Sequence, residues 1–218
     1  DSLNSIAKLL FENSFQMNSL AFGDAANKMV LDTYNSLLSD SDDPRWRIEH
    51  INVISKEDIS NFNYKIIPSI QPSQFLSQIQ WAKLRLGVER INDAFKYKDL
   101  LDWSGVLALG SNFPFEKISP LNTFYSAVTK GLEKEDLNKV KGFRMGNSIS
   151  RYEALMGMTR WAAYANFEEN EKGSIEAGKF ADFIFLDRDI MTVDIMLVPK
   201  ARVVATILNG KIVFSNRL

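Results

Sequence analysis

The stretch "ALGSNFPFE", residues 108–116, decides how this chain is to be read. An apolar run from Val106 to Leu109 leads into Gly110, Ser111 and Asn112, and then a proline. Such a run, bounded by glycine and polar residues, reads as a buried strand that ends near Asn112. In parallel sheets the chemistry gathers where strands end. Here the polar residue at the tip is an amide rather than a carboxylate. An amide oxygen carries no charge and cannot serve as a general base.

The same pattern recurs upstream. Residues 3–15 carry a helical apolar stripe, and residues 19–22 read as a short buried strand. "GDAANKMVLDTYNSLL" predicts an amphipathic helix to about Leu38 with Asp24 as its N-cap. After the polar "SDSDDP", "RWRIEH" is strand-like and ends in His50. "SKEDISNF" reads as a helix capped by Ser55 with Asp58 three residues on. "YKIIPSIQP" is strand-like, with Pro68 arguing for a strand end. Residues 74–86 and 88–102 predict two helices broken near Gly87. Downstream, a helix runs from Pro120 to about Lys130, and "SISRYEALMGMTRWAAYANF" predicts one long helix. Short apolar strands alternating with helices point to a parallel sheet with helices outside. The tail differs. "GSIEAGKFADFIFLDRD" is a turn and a strand, and "ARVVATILNGKIVFSN" is a hairpin turning at Asn209-Gly210. The fold class is therefore α/β, with an α/β body over residues 1–170 and a small antiparallel β unit over 171–218.

Composition sets bounds. The 218 residues are 45% hydrophobic and 24% charged, with a formal net charge of −1. That is an ordinary globular composition, without the basic surplus that nucleic acid demands. No apolar stretch approaches the roughly 18 residues of a membrane helix. There is no cysteine and a single histidine, His50. A zinc site built from protein side chains usually needs three or four N, S or O ligands, so this chain would have to rely on carboxylates. The sequence opens at Asp1 rather than Met. A processed chain, a split subunit and a fragment are all open, as is the compartment, because a targeting signal would lie upstream.

The segments "FGDAAN", "RWRIEH", "IQPS", "WAKLRLGVERINDAFKYKDLLDWSGVLALGSNFPFE", "GSIEAGKFADFIFLDRDI" and "VVATILNGKIVF" together resemble the amidohydrolase superfamily, specifically amidohydrolase family 3. The resemblance covers nearly the whole chain in order. It implies the C-terminal half of a (β/α)8 barrel, strands five to eight, with part of a small β-sandwich. It also implies one or two divalent metals, usually zinc, activating water against non-peptide C–N bonds.

Carried over residue by residue, the resemblance gives a depleted metal site. The histidine position on the fifth strand is Leu20, the sixth-strand histidine is His50, and the eighth-strand aspartate is Asn112; His50 reads either as a residual ligand or, since a single imidazole makes a weak metal site, as a buried histidine hydrogen-bonded near a strand end. The His-x-His pair of the first strand and the fourth-strand ligand have no counterpart. Gln71 and Arg90 lie in family-matching motifs and are candidates for substrate binding, with a loop or salt-bridge role as the alternative. Glu49 should point away from His50 across the strand. Trp46, Trp81, Trp103 and Trp161 read as core or helix-packing residues, and the charge run at 133–141 as a solvated face.

Half a barrel leaves strand edges unpaired. The expected partner is therefore the missing N-terminal half, from the same or a separate chain, or a second copy of this chain. A small amide-type substrate is expected if the protein is active, and neither nucleic acid nor membrane. The reading is a metal-dependent hydrolase present as a C-terminal portion, with this chain alone inactive. A pseudoenzyme, or a non-catalytic subunit completing another chain's barrel, is the alternative.

Overall fold

The computed structural model describes residues 2–38, 43–130 and 147–216; the charge run at 133–141 lies outside them. Four parallel strands form one sheet in the order β1-β2-β3-β4: β1 Asn18–Ala21, β2 Trp46–His50, β3 Ile66–Ile70 and β4 Ala108–Leu109. Helix α1 (Ser2–Glu12) precedes β1, and α2 (Asp24–Leu37), α3 (Lys56–Ile59), α4 (Gln74–Arg90), α5 (Tyr97–Ser104) and α6 (Pro120–Thr129) connect or follow the strands. Two short helices follow, α7 (Arg151–Met158) and α8 (Arg160–Ala165). A second sheet, antiparallel and ordered β5-β6-β7, holds β5 Phe183–Leu186, β6 Val203–Leu208 and β7 Lys211–Ser215. Asn209 and Gly210 turn β6 into β7 with φ of 47° and 75°, the left-handed pair that an Asn-Gly hairpin requires.

The sheet is packed on one side. Trp46 and Ile48 of β2 face the helices, where the Trp46 ring meets Tyr34 edge-on at 4.8 Å. The Tyr34 hydroxyl donates to Ser19 Oγ at 2.8 Å, which puts Ser19 on the same side. Strand alternation then turns Leu20, Arg47 and Glu49 to the opposite face. Register confirms the row: Leu20 pairs with Glu49, Glu49 with Ser69, and Ser69 with Ala108. At its N-terminal end this second face is closed by α8, whose Ala165 packs with Ile67 and Ala108. Arg45 ties that end together. Its guanidinium stacks on Tyr164 at 3.7 Å and pairs with Asp43 at 2.7 Å and Glu169 at 2.8 Å.

Several expectations are corrected. Leu20 is 63% exposed, so β1 is not a fully buried strand. Gly23 is the N-cap residue of α2, and Asp24 is the first helical residue. Pro68 sits inside β3, not at its end; β4 pairs only with Ser69 and Ile70, so the ladder on that side begins after the proline. The expected break at Gly87 is present: with φ of 75° and ψ of −177° the residue is non-helical, and α4 is two helical pieces meeting at a kink, the second ending at Arg90 rather than running on to 102. Ile91–Asp93 form a 3-10 turn, and residues 94–96 then leave helical structure, where Phe95 N–H donates to Asn52 O at 2.8 Å and Val53 bridges Ala94. The expected long helix is broken at Thr159, which lets α8 turn under the sheet. Trp46 and Trp161 belong to the core, whereas Trp81 and Trp103 are about half exposed.

Two packing points have measurable consequences. Gly157 of α7 lies so close to β4 that a Cβ would stand 2.6 Å from Leu109 Cγ and 2.8 Å from the Leu107 carbonyl oxygen. Gly157→Ala is expected to destabilise the protein by about 1–3 kcal/mol through overpacking, read as a lower urea midpoint at unchanged slope. Lys130 is fully buried. Its Nζ donates to Phe95 O at 3.1 Å and lies 5.4 Å from the Tyr97 ring centre. Burial pulls its pKa from 10.5 down to about 7, with the Asp99 charge opposing. Between those values the unfolded chain holds a proton that the folded chain has released, so stability rises with pH there. Relative to Lys130→Met, the parent should gain up to about 1.4 kcal/mol per pH unit from pH 7 to 10. Equal slopes for the two proteins in urea titrations at pH 7, 8 and 9 would contradict the burial of a neutral lysine.

Candidate active site

The C-terminal ends of the strands gather the candidate residues, in two groups. On the open face, Arg47 Nε donates to Glu49 Oε1 at 3.1 Å, and Gln71 Nε2 to Glu49 Oε2 at 3.5 Å. Glu49 thereby fixes the Gln71 amide, because only the NH2 can face a carboxylate. Gln71 is 8% exposed, and its Oε1 is buried with no hydrogen-bond partner among the described residues.

The second group surrounds His50. Register places His50 in a row with Ala21, the row that faces the helices. His50 leaves the strand conformation with φ of 80°. Its ring stacks on Phe22 with centres 4.2 Å apart, and Nδ1 lies 3.0 Å from Gln74 Oε1. Burial holds its pKa below the ordinary imidazole value, while the Gln74 bond and the Glu49 charge pull the other way. Gln74 belongs to the first turn of α4, which begins four residues after β3 ends. Ser77 of the same helix donates to Glu116 Oε1 at 2.7 Å, anchoring the turn that follows Asn112.

Asn112 is partly exposed and holds a φ of 58°, and its carbonyl accepts from Phe115 N–H at 3.0 Å. Arg90 is placed elsewhere: its guanidinium donates to Asp24 Oδ2 at 2.6 Å, joining the end of α4 to the start of α2. Asp24 therefore anchors a helix, though by an ion pair rather than as the expected cap.

Among the described residues no three His, Cys, Asp or Glu side chains stand close enough to hold a metal ion. The donor set of this half does not fit zinc. Leu20 offers no lone pair, the Asn112 amide is uncharged, and His50 is one imidazole where three protein ligands are usual. Residues that sequence reasoning passed over are Arg47, Asn52, Gln74 and Gln78. The available signal was the Gln74/Gln78 pair, four apart at the start of a helix and so on one face.

The sequence profile described as the amidohydrolase family matches residues 1–214. The chain belongs to the amidohydrolase family. It is 32% identical to Protein LONG AFTER FAR-RED 3 of Arabidopsis thaliana, over 97% of this chain and 36% of that protein. It is 26% identical to YtcJ of Bacillus subtilis, which carries an amidohydrolase name, over 98% of this chain and 40% of that protein. The amidohydrolase chain thus spans well under half the length of these curated relatives. Among solved structures, a metal-dependent hydrolase of Pyrococcus horikoshii superposes with a TM-score of 0.74 at 24% identity, covering 89% of this chain and 38% of that one. Its counterpart from Pyrococcus furiosus gives 0.72 at 24%, covering 87% and 37%. These likenesses show the fold: the C-terminal half of an amidohydrolase-type barrel and its accompanying antiparallel sheet. No helix among the described residues is long and apolar enough to cross a membrane.

The chain on its own is expected to bind no stoichiometric zinc. Elemental analysis after mild dialysis reads this directly. About one zinc per chain, lost in His50→Ala, would show that an imidazole and other donors do converge here.

Proposed function

We propose that this chain supplies the C-terminal half of a metal-dependent hydrolase acting on non-peptide C–N bonds, with the metal ligands of this half degraded. The observation that carries the reading is the polar row on the open face. Membership of the family supplies the scaffold, and on it Glu49 and Gln71 meet at the strand ends, where barrel enzymes place their chemistry, while Arg47, lower on the same face and bonded to Ala165 O and Asn166, donates to Glu49. A barrel interior kept only for packing would be filled by apolar side chains there.

In this reading Gln71 and Glu49 bind substrate. The unpartnered Gln71 Oε1 accepts a substrate N–H, and Glu49 holds the amide in that orientation. Arg47 neutralises Glu49 and keeps its carboxylate in place. Arg90, paired with Asp24, joins the end of α4 to the start of α2 and stands outside this row. The missing half, in the same polypeptide, a separate chain or a second copy, supplies the ligands that Leu20 and Asn112 do not.

Turnover of a panel of N-acyl, ureido and cyclic amide substrates tests the proposal, using this chain alone and together with the N-terminal half. Cleavage is expected only with both halves present. Gln71→Leu should raise KM by at least about tenfold, the worth of one lost hydrogen bond to a buried group. Turnover by this chain alone would overturn the degraded site. Absence of turnover from a folded, complete barrel would overturn the hydrolase reading in favour of a non-catalytic role.

A further inference from the structure

His50, Asn52 and Gln74 are each at least nine-tenths buried, and Gln78 lies beside them, partly buried. Four polar side chains in so small a volume are costly unless each is paired. They pair in series. Asn52 Nδ2 donates to Gln78 Oε1. Gln78 Nε2 donates to Gln74 Oε1 at 3.2 Å. The same Gln74 oxygen lies 3.0 Å from His50 Nδ1.

Direction is what makes this series informative. A primary amide has one donor end and one acceptor end, so fixing one link fixes the next. Asn52 presents its NH2, so Gln78 turns its oxygen toward Asn52 and its NH2 toward Gln74. Gln74 then presents oxygen, and an oxygen facing a ring nitrogen requires N–H there. Both ends are set by the backbone. Gln74 and Gln78 share one face of α4, four residues apart. The Asn52 backbone is held by Phe95 N–H at 2.8 Å. We propose that Asn52, Gln78 and Gln74 form a one-way hydrogen-bond relay that holds the His50 proton on Nδ1 and leaves Nε2 as the lone-pair nitrogen. Gln74 and its two partners are thus positioning residues: they decide which nitrogen of the sole histidine can accept a proton or bind a cation. The relay concerns the histidine of the proposed site but not its reaction, so it stands or falls independently of turnover.

The measurement is the nitrogen spectrum of the imidazole. His50 is the only histidine in the sequence, and His50→Asn assigns its signals. In 15N-labelled protein, at a pH well above the ordinary imidazole value of about 6.5, two-bond proton–nitrogen correlations distinguish the protonated from the bare nitrogen. The parent is expected to show a protonated Nδ1 and a bare Nε2. The opposite assignment, or an even mixture, overturns the relay. Asn52→Asp removes the donor at the head of the series. A carboxylate there forces Gln78 to donate to it, Gln74 to donate onward, and the His50 proton to move to Nε2. The two nitrogen signals should exchange, an effect that a merely structural role for Asn52 would not produce. Unchanged signals in a variant with native circular dichroism overturn the proposal. Should Asn52→Asp fail to fold, Gln78→Leu serves: Gln74 is then free to turn, and a tautomer mixture is expected. Gln74→Glu offers only acceptors and should keep the parent pattern.

Discussion

One constraint governs this protein: its parallel sheet has a single packed face. Trp46, Ile48, Ile66 and Ile70 meet Tyr34, Phe75 and Leu100 in one continuous core. At roughly 25 cal/mol per Å2 of apolar surface removed from water, that core dominates the folding energy. It fixes the pitch of the strands, and the pitch sorts every other side chain. Leu20, Arg47, Glu49 and Ser69 are left on the far face because their neighbours are committed to the near one. The open face is closed only at its N-terminal end, where α8 and the Arg45 cluster seal it.

The opposite end is organised by α4. Its first two turns hold His50 through Gln74, Asn52 through Gln78, and the turn after Asn112 through Ser77 and Glu116. Its last residue, Arg90, reaches Asp24 at the head of α2. One helix thus sets the loops that follow three strands. Buried polar series of this kind are rigid when every member is paired, because breaking one link leaves a desolvated group. The strand ends are therefore tied together through the first two turns of α4.

Much of this was legible in the sequence because it is local. The order of strands and helices follows from apolar spacing. Ser55 does cap α3, its Oγ accepting from Asp58 N–H at 3.0 Å, as a Ser with an acid three residues on predicts. Asn209-Gly210 does turn a hairpin, because φ of that sign suits those two residues. The motifs around "RIEH" and "GSNFPFE" placed the chain in its family. The relay on His50 was not legible. Glutamines have no strong positional preference in helices, and nothing in their spacing says which end of each amide faces which partner.

What the sequence by itself determined was the set of elements, their order, their local turns and caps, and the family. Each of these is decided by residues within a few positions of one another. Tertiary structure decided the rest. It broke the helix at Thr159 so that Ala165 could reach Ile67, 98 positions away by sequence number. It took Asp24 from its expected cap to Arg90, 66 residues on, and turned His50 out of its strand toward Gln74. These outcomes depend on which distant groups the core brings within hydrogen-bond or packing distance, and a pattern confined to neighbouring residues carries no record of that.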